Sequence, residues 1–347
     1  MTRIAYLSHV DSRWIKQRPH FLAEEIGARA GMSVAFFCSA IVKRSLLVKD
    51  QRLSVPVFRL PLLPQRLRGR LWFLDFVLSR ASALLLVIFW RPDVLIVTHA
   101  RHYELARLVG RFNTRVFYDC MDINRLFPDV VNRDIANEAR LVDLAAGVFC
   151  SSGPIEEEIR RMGTNAQIVS VPNALDGRAM SHVRQHATVN AGVVRYVGTV
   201  ASWFDRDAIL DLVESMPVNV EIIGPLDSQE IVHDRVTYRG VMTHGNALEE
   251  MWKADVLVLP FVVTELIAAV DPVKVYEYIA TGRPVVCVDY PQLDHFGGLI
   301  SRYRQGSGLS EAIASALGRK SVPAEELAEF VKLNSWSARA ERIAELL

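Results

Sequence analysis

Cysteine is scarce in this 347-residue chain: Cys38, Cys120, Cys150 and Cys287 are scattered, and no two form a C-x-x-C pair. A zinc knuckle of local spacing is thereby excluded, and a disulfide framework is not expected. Long apolar runs are missing too. The charge-free apolar run Ala81 to Trp90 has only ten residues, and the wider stretch Leu71–Trp90 holds Asp75 and Arg80. A bilayer span needs about 20 apolar residues, so no transmembrane helix is expected. The start, Met1-Thr2-Arg3-Ile4-Ala5-Tyr6-Leu7-Ser8, lacks the basic, apolar and small-residue regions of a signal peptide. No G-x-G-x-x-G follows an expected strand, which disfavours a dinucleotide-dependent dehydrogenase. Neither a repeat of solenoid period nor a low-complexity segment occurs. What is plentiful is apolar sequence: 50% of the residues are hydrophobic and 23% charged, as in a globular chain with cores for two domains. A metal-independent protein of the cytoplasm is the expectation.

Net charge is almost absent as well, at +1, yet the sum hides an asymmetry. Residues 1–178 hold 25 Lys and Arg against 17 Asp and Glu, an excess of +8, and residues 179–347 hold 15 against 22, an excess of −7. Between Lys43 and Arg80 the ratio is nine basic to two acidic. A basic first half can face an anionic membrane, a nucleic acid or an anionic substrate, or it can be a solvated surface. Leu62, Leu63, Leu67, Leu71, Trp72 and Phe73 interleave there with Arg66, Arg68 and Arg70, a composition suited to the headgroup region of an anionic membrane. The competing reading is a core helix whose arginines are solvated.

Short β-branched runs alternate with helical stretches. Strands are expected at Arg3–Ser8, Ser33–Cys38, Val55–Leu60, Val94–Thr98, Arg115–Asp119, Val148–Ser151 and Gln167–Val171, with helices between several of them. A polar stretch from Leu175 to Gly192 follows, and the alternation restarts at Val193–Val197, Val220–Ile223, Val236–Arg239, Val256–Leu259 and Val285–Asp289. Such alternation predicts parallel sheets covered by helices, an α/β fold of two doubly wound domains. Residues 1–175 form the first, 176–192 a linker, 193–330 the second, and 331–347 a terminal helix free to pack on either, the first included. Ligands of open parallel sheets sit beyond the carboxyl ends of strands. Attention therefore falls on residues 9–20, 119–124, 198–207, 224–225 and 260–277.

The segment Asp271-Pro272-Val273-Lys274-Val275-Tyr276-Glu277-Tyr278 carries most information. Asp271 suits an N-cap, Pro272 a first helical position, and Gly282 with Pro284 a stop. Unpaired N–H groups at such a helix start favour a phosphate, and Lys274 adds a full charge. Glu277, three residues on, shares the face of Lys274 and can accept ribose hydroxyls; an ordinary surface Lys–Glu pair has the same spacing.

Pro272-x-Lys274-x-x-Glu277-Tyr278-x-x-x-Gly282-x-Pro284-Val285-Val286, preceded by Leu259-Pro260-Phe261, resembles the nucleotide-sugar site of GT-B glycosyltransferases, in particular the bacterial group 1/family 4-like enzymes of surface polysaccharide assembly. Further matches run in order along the chain: Trp14-x-x-x-Arg18-Pro19-His20, Tyr118-Asp119-Cys120-Met121-Asp122, Val171-Pro172-Asn173-Ala174 and Tyr196-Val197-Gly198-Thr199. The resemblance implies a GT-B fold, with two Rossmann-like domains facing a central cleft. It implies a nucleotide-sugar donor held by Gly198, Thr199, Gly224, Lys274, Tyr276 and Glu277. A saccharide or lipid-linked acceptor would meet His9, Asp11, Trp14, Arg18 and His99. Each glycine also has a plain reading as a strand-end turn. No metal, cofactor or nucleic acid is implied, and the basic first domain would lie against the inner face of the cell membrane.

Two departures bear on the stereochemistry. Position 269, where many retaining members carry a glutamate, is alanine, and His9-Val10-Asp11 replaces the usual glycine pair. A pattern so altered resembles the inverting xanthan-type glucuronosyltransferases. An inverting transferase needs one base for the acceptor hydroxyl. Asp122 is the candidate, with Asp119 two residues earlier as base or orienter and His20 as a further catalytic candidate; the alternative is that both aspartates cap turns. Competing functions are an isomerase like the UDP-sugar 2-epimerases and a non-catalytic sugar-nucleotide-binding protein.

Overall fold

The computed structural model describes residues 1–39, 52–127, 130–180, 192–319 and 322–347, without the side chains of 65 and 66. The chain divides into two units, Met1–Pro172 with Trp336–Leu347, and Asn173–Ser335.

In unit 1 the short β-branched and aromatic runs become β1 (Thr2–Leu7), β2 (Met32–Ser39), β3 (Val57–Leu60), β4 (Val94–Val97), β5 (Arg115–Cys120), β6 (Gly147–Cys150) and β7 (Gln167–Ser170). They form one sheet in the order β3-β2-β1-β4-β5-β6-β7, every ladder parallel. Ile4 is in register with both Val34 and Val94. Ile4–Leu7 and Val94–Val97 are buried throughout, as strands covered on both faces must be. The helices of this unit are α1 (Arg18–Gly27), α2 (Gln65–Arg68), α3 (Trp72–Phe89), α4 (Tyr103–Val109), α5 (Asn132–Leu144) and α6 (Gly153–Arg161).

Helix α3 departs from expectation. By length and composition it is able to cross a membrane: 18 residues with a mean hydropathy of 1.9, of which 28% are buried. Its polarity is reversed relative to a core helix. Asp75, Ser79, Ser82, Ala83 and Leu86 face inward, whereas Trp72, Phe73, Val77, Leu84, Ile88 and Phe89 are exposed. The two charges that break the run are absorbed. Asp75 is paired with Arg68 (3.1 Å) and Arg133 (2.6 Å), and the Arg80 guanidinium lies 3.5 Å from the centre of the Phe76 ring.

The expected lipid-facing patch is corrected at the same place. Arg68 is buried, pairs also with Asp134 (2.9 Å) and donates to the Arg101 carbonyl (3.0 Å), so it cannot meet a headgroup. Leu62 and Leu63 are buried too. The Arg66 side chain and the start of the basic stretch, Lys43 included, lie outside the described residues.

In unit 2, β8 (Val193–Val197), β9 (Asn219–Ile223), β10 (Val236–Gly240), β11 (Val256–Leu259), β12 (Val285–Val288) and β13 (Ser301–Tyr303) form a second parallel sheet, ordered β10-β9-β8-β11-β12-β13. Strand β13 was not expected from the sequence, since three residues with two polar ones show no apolar period. The helices are α7 (Gly177–Met180), α8 (Arg206–Ser215), α9 (His244–Trp252), α10 (Glu265–Ala268), α11 (Val273–Ala280), α12 (Leu309–Leu317) and α13 (Ala324–Leu333). Most of the expected linker, residues 181–191, lies outside the described residues. The chain then returns to unit 1 as α14 (Trp336–Ala344). Trp336 is buried and stacks on Phe21 of α1 at 5.4 Å, and Arg339 donates to the Pro172 carbonyl (3.1 Å).

Candidate functional site

Each sheet reverses its winding once, between β1 and β4 in unit 1 and between β8 and β11 in unit 2. Loops leaving the carboxyl ends on either side of such a point splay apart and leave a crevice.

In unit 1 His9 follows β1 and His99 follows β4, one on each side of this point, and Asp122 follows β5 at the same edge of the sheet. The two imidazoles are 5.1 Å apart. His9 Nδ1 lies 2.9 Å from Thr98 Oγ1, and His99 Nδ1 accepts from the Arg101 backbone N–H at 3.0 Å. Burial, reinforced by Arg101 and His20, lowers the His9 pKa to about 3; burial and then His9 and Arg101 hold His99 well below its usual value. Both rings are neutral. Asp122 is half-buried, and among the described residues no hydrogen bond or ion pair engages its carboxylate. Burial pushes its pKa up to about 6, opposed only by the charge of Arg18.

Four expected site residues, Asp119, Arg18, His20 and Asp11, are engaged in the frame. Asp119 is fully buried, accepts from Arg18 Nη2 (2.7 Å) and Nε (3.0 Å), and accepts from Tyr6 Oη (2.6 Å). Both oxygens of this carboxylate are engaged inside the unit, away from solvent. Arg18, also buried, sends Nη1 to the Val171 carbonyl (2.8 Å). His20 is fully buried, with Nδ1 accepting from the Gln17 backbone N–H (3.0 Å) and Nε2 3.0 Å from the Asp11 carbonyl. It closes the capping box of α1 and, at a pKa lowered to about 4 chiefly by burial, does no proton work near neutrality. Asp11 is engaged by Arg59 (2.6 Å) and Arg13 (3.1 Å), which fixes the loop bearing the half-buried Trp14.

In unit 2, Gly198 and Thr199 end β8, and Gly224 ends β9. Gly224 has φ 141°, and a Cβ there would overlap the Gly198 carbonyl oxygen. The two loops thus touch backbone to backbone, and this contact explains Gly224 as a close approach rather than a plain turn. Helix α11 begins one residue later than expected: Pro272 is the N-cap and Asp271 lies outside. Asp271 instead accepts from the Asn173 backbone N–H (2.6 Å) and from Tyr276 Oη (3.1 Å). Tyr276, expected at the donor, is fully buried with its ring against Phe296 and Phe330, so it braces Asp271 from the core side. Glu277 is buried between Lys274 Nζ and His244 Nε2, each at 2.7 Å. Burial alone would raise its pKa, but those two partners bring it down to about 2. His244 was missed in the sequence. It is the first residue of α9, 33 positions from its partner, and its position after a strand end was the available signal.

Unit 1 thus offers, after β5, a carboxylate with no partner among the described residues and able to take a proton, and two neutral imidazoles together after β1 and β4. Unit 2 offers a helix start with Lys274, able to hold an anion. Among the described residues no group of His, Cys, Asp and Glu has the arrangement of a metal site.

Comparison with solved structures shows that this architecture shares its fold with GT-B glycosyltransferases. The chain is similar to sucrose-phosphate synthase from Thermosynechococcus elongatus (TM-score 0.76, 16% identity, covering 100% of this chain and 98% of that one). It is likewise similar to Anabaena HepE in complex with UDP-glucose (0.67, 14%, 99% of each chain) and to the lipopolysaccharide outer core galactosyltransferase WaaB in its apo form (0.66, 14%, 99% of each chain). No family model matches the chain, and no curated protein matches it. The fold is GT-B, with two Rossmann-like domains.

Proposed function

We propose that this protein transfers a sugar from a nucleotide diphosphate sugar, UDP-linked as in the donor bound to HepE, to a saccharide acceptor on a lipid carrier in the assembly of a bacterial surface polysaccharide. The observation that carries the reading is Asp122: a carboxylate without a partner among the described residues, lifted to a pKa of about 6, at the carboxyl edge of the first sheet of a GT-B fold. In unit 1 Asp122 takes the proton of the acceptor hydroxyl as its oxygen bonds to the anomeric carbon, while the bond to the donor's phosphate oxygen breaks. In unit 2 Lys274 and the first N–H groups of α11 carry the charge of the leaving diphosphate, so the step needs no cation. Single displacement by one base inverts the anomeric centre.

A lipid-linked acceptor calls for a protein seated on the inner face of the cell membrane. The exposed apolar face of α3, with exposed Arg70 before it and Arg91 after it, supports that seating.

Incubation with a panel of nucleotide sugars and a lipid-linked saccharide tests the function. Free nucleotide with glycosylated acceptor, unaffected by EDTA, is expected. An epimerised donor would install the isomerase reading, and binding without turnover the non-catalytic one. Lys274→Ala should weaken nucleotide-sugar binding by roughly tenfold or more, the worth of a charge-assisted phosphate contact.

A further inference from the structure

We infer that His99 and Arg101, on the loop leaving β4, form an oxyanion-binding subsite that receives a negatively charged group of the acceptor. The assignment to the acceptor rests on the proposed function; the anion chemistry does not.

A neutral imidazole has one donor and one acceptor. His99 Nδ1 is used as an acceptor, by the Arg101 backbone N–H at 3.0 Å, so the ring proton sits on Nε2. Among the described residues that Nε2–H has no acceptor. The guanidinium of Arg101 also lacks any hydrogen-bond or ion-pair partner among them. Nearby carboxylates are committed elsewhere: Asp75 is shared by Arg68 and Arg133, and Asp134 is held by Arg68. Three guanidinium groups therefore stand against two carboxylates, and Arg101 carries the surplus. Its surroundings disfavour that charge, for burial and then Arg68 lower its pKa to about 10.

The loop is fixed in place by the same network. Arg68 Nη2 donates to the Arg101 carbonyl at 3.0 Å, and Ala100 and His102 are buried on either side. Two donors, one of them charged, are thus held beside the winding reversal of the sheet, with no acceptor among the described residues. An oxyanion supplies what both lack. It has two possible sources, the phosphate of a lipid carrier or the carboxylate of an acidic sugar.

The test uses the full chain with 15N-labelled histidine, the His99 ring signals being assigned by their loss in His99→Gln. Methyl phosphate and glucuronate are titrated separately in the millimolar range without nucleotide sugar. A saturable shift of the His99 Nε2 signal with either probe is expected, and which probe acts identifies the source. Arg101→Gln should weaken that binding by about tenfold. Its thermal midpoint should be unchanged or raised, since the arginine makes no ion pair. A His99 ring silent to both probes overturns the subsite, as does an Arg101→Gln variant that binds as the wild type does or that is merely destabilised. A His99 response in a protein that turns over no nucleotide sugar would retire the proposed function and leave the subsite standing.

Discussion

Asp119 and Asp122 lie two residues apart on one segment, yet Arg18 and Tyr6 lock the first and nothing described engages the second. Spacing made both candidates. The difference comes from Arg18, 101 residues away, and no local pattern encodes a pairing at that distance. Asp122→Asn should lower kcat by about 10²–10⁴-fold, the usual weight of a general base, while donor affinity is kept. Wild-type kcat/KM should rise with pH through about 6, where the carboxylate forms, and level above it. Stability runs the other way. The folded pKa lies above the unfolded value, so stability from the protonated form is present below about 4 and lost as pH rises through about 6. The Asn variant should therefore gain about 1–3 kcal/mol at pH 7 over the wild type in urea unfolding. Glu277 has the opposite sign: its stabilisation is present above about 4.3 and lost as pH falls toward 2. Gly224→Ala should cost more than about 2 kcal/mol, because the side chain collides with a backbone carbonyl at a positive φ; thermal melting checks this.

The strands other than β13 were readable to within a residue or two, because chains buried on both faces must be apolar along their whole length. Helix α3 was harder. Its apolar content was plain, but the inward direction of Asp75 depends on Arg68, Arg133 and Asp134, which come from two other helices, α2 and α5. Exposed and buried faces consequently respond differently to mutation. Trp72→Ser with Phe73→Ser, or Ile88→Asn with Phe89→Ser, should leave urea stability within about 0.5 kcal/mol per site, since these side chains make little contact. The same variants should lose co-sedimentation with vesicles. Arg68→Glu should cost about 3–5 kcal/mol instead, by stranding Asp134 in the interior and leaving Asp75 to Arg133 alone. Because apolar insertion is not screened, wild-type binding to anionic vesicles should be weakened but not abolished by high salt. An even loss with salt would point to arginines alone.

At the scale of the whole chain, repeated alternation made two α/β domains legible, whereas the ownership of the last helix was not. Its partner Phe21 lies near the opposite end of the sequence, and an amphipathic helix by itself fits any apolar surface. Trp336→Ala should cost about 3–5 kcal/mol in unit 1 alone. In a calorimetric scan the transition of unit 1 should move down while that of unit 2 stays, since the substitution removes no contact within Asn173–Ser335. The return of the chain to its first unit also orders events on the ribosome. At about 5–20 residues per second, translation of Asn173–Ser335 leaves the α1 seat of Trp336 bare for on the order of ten seconds. The second unit can close while the first still shows Phe21 to solvent, so the N-terminal half keeps apolar surface to offer a chaperone until α14 emerges.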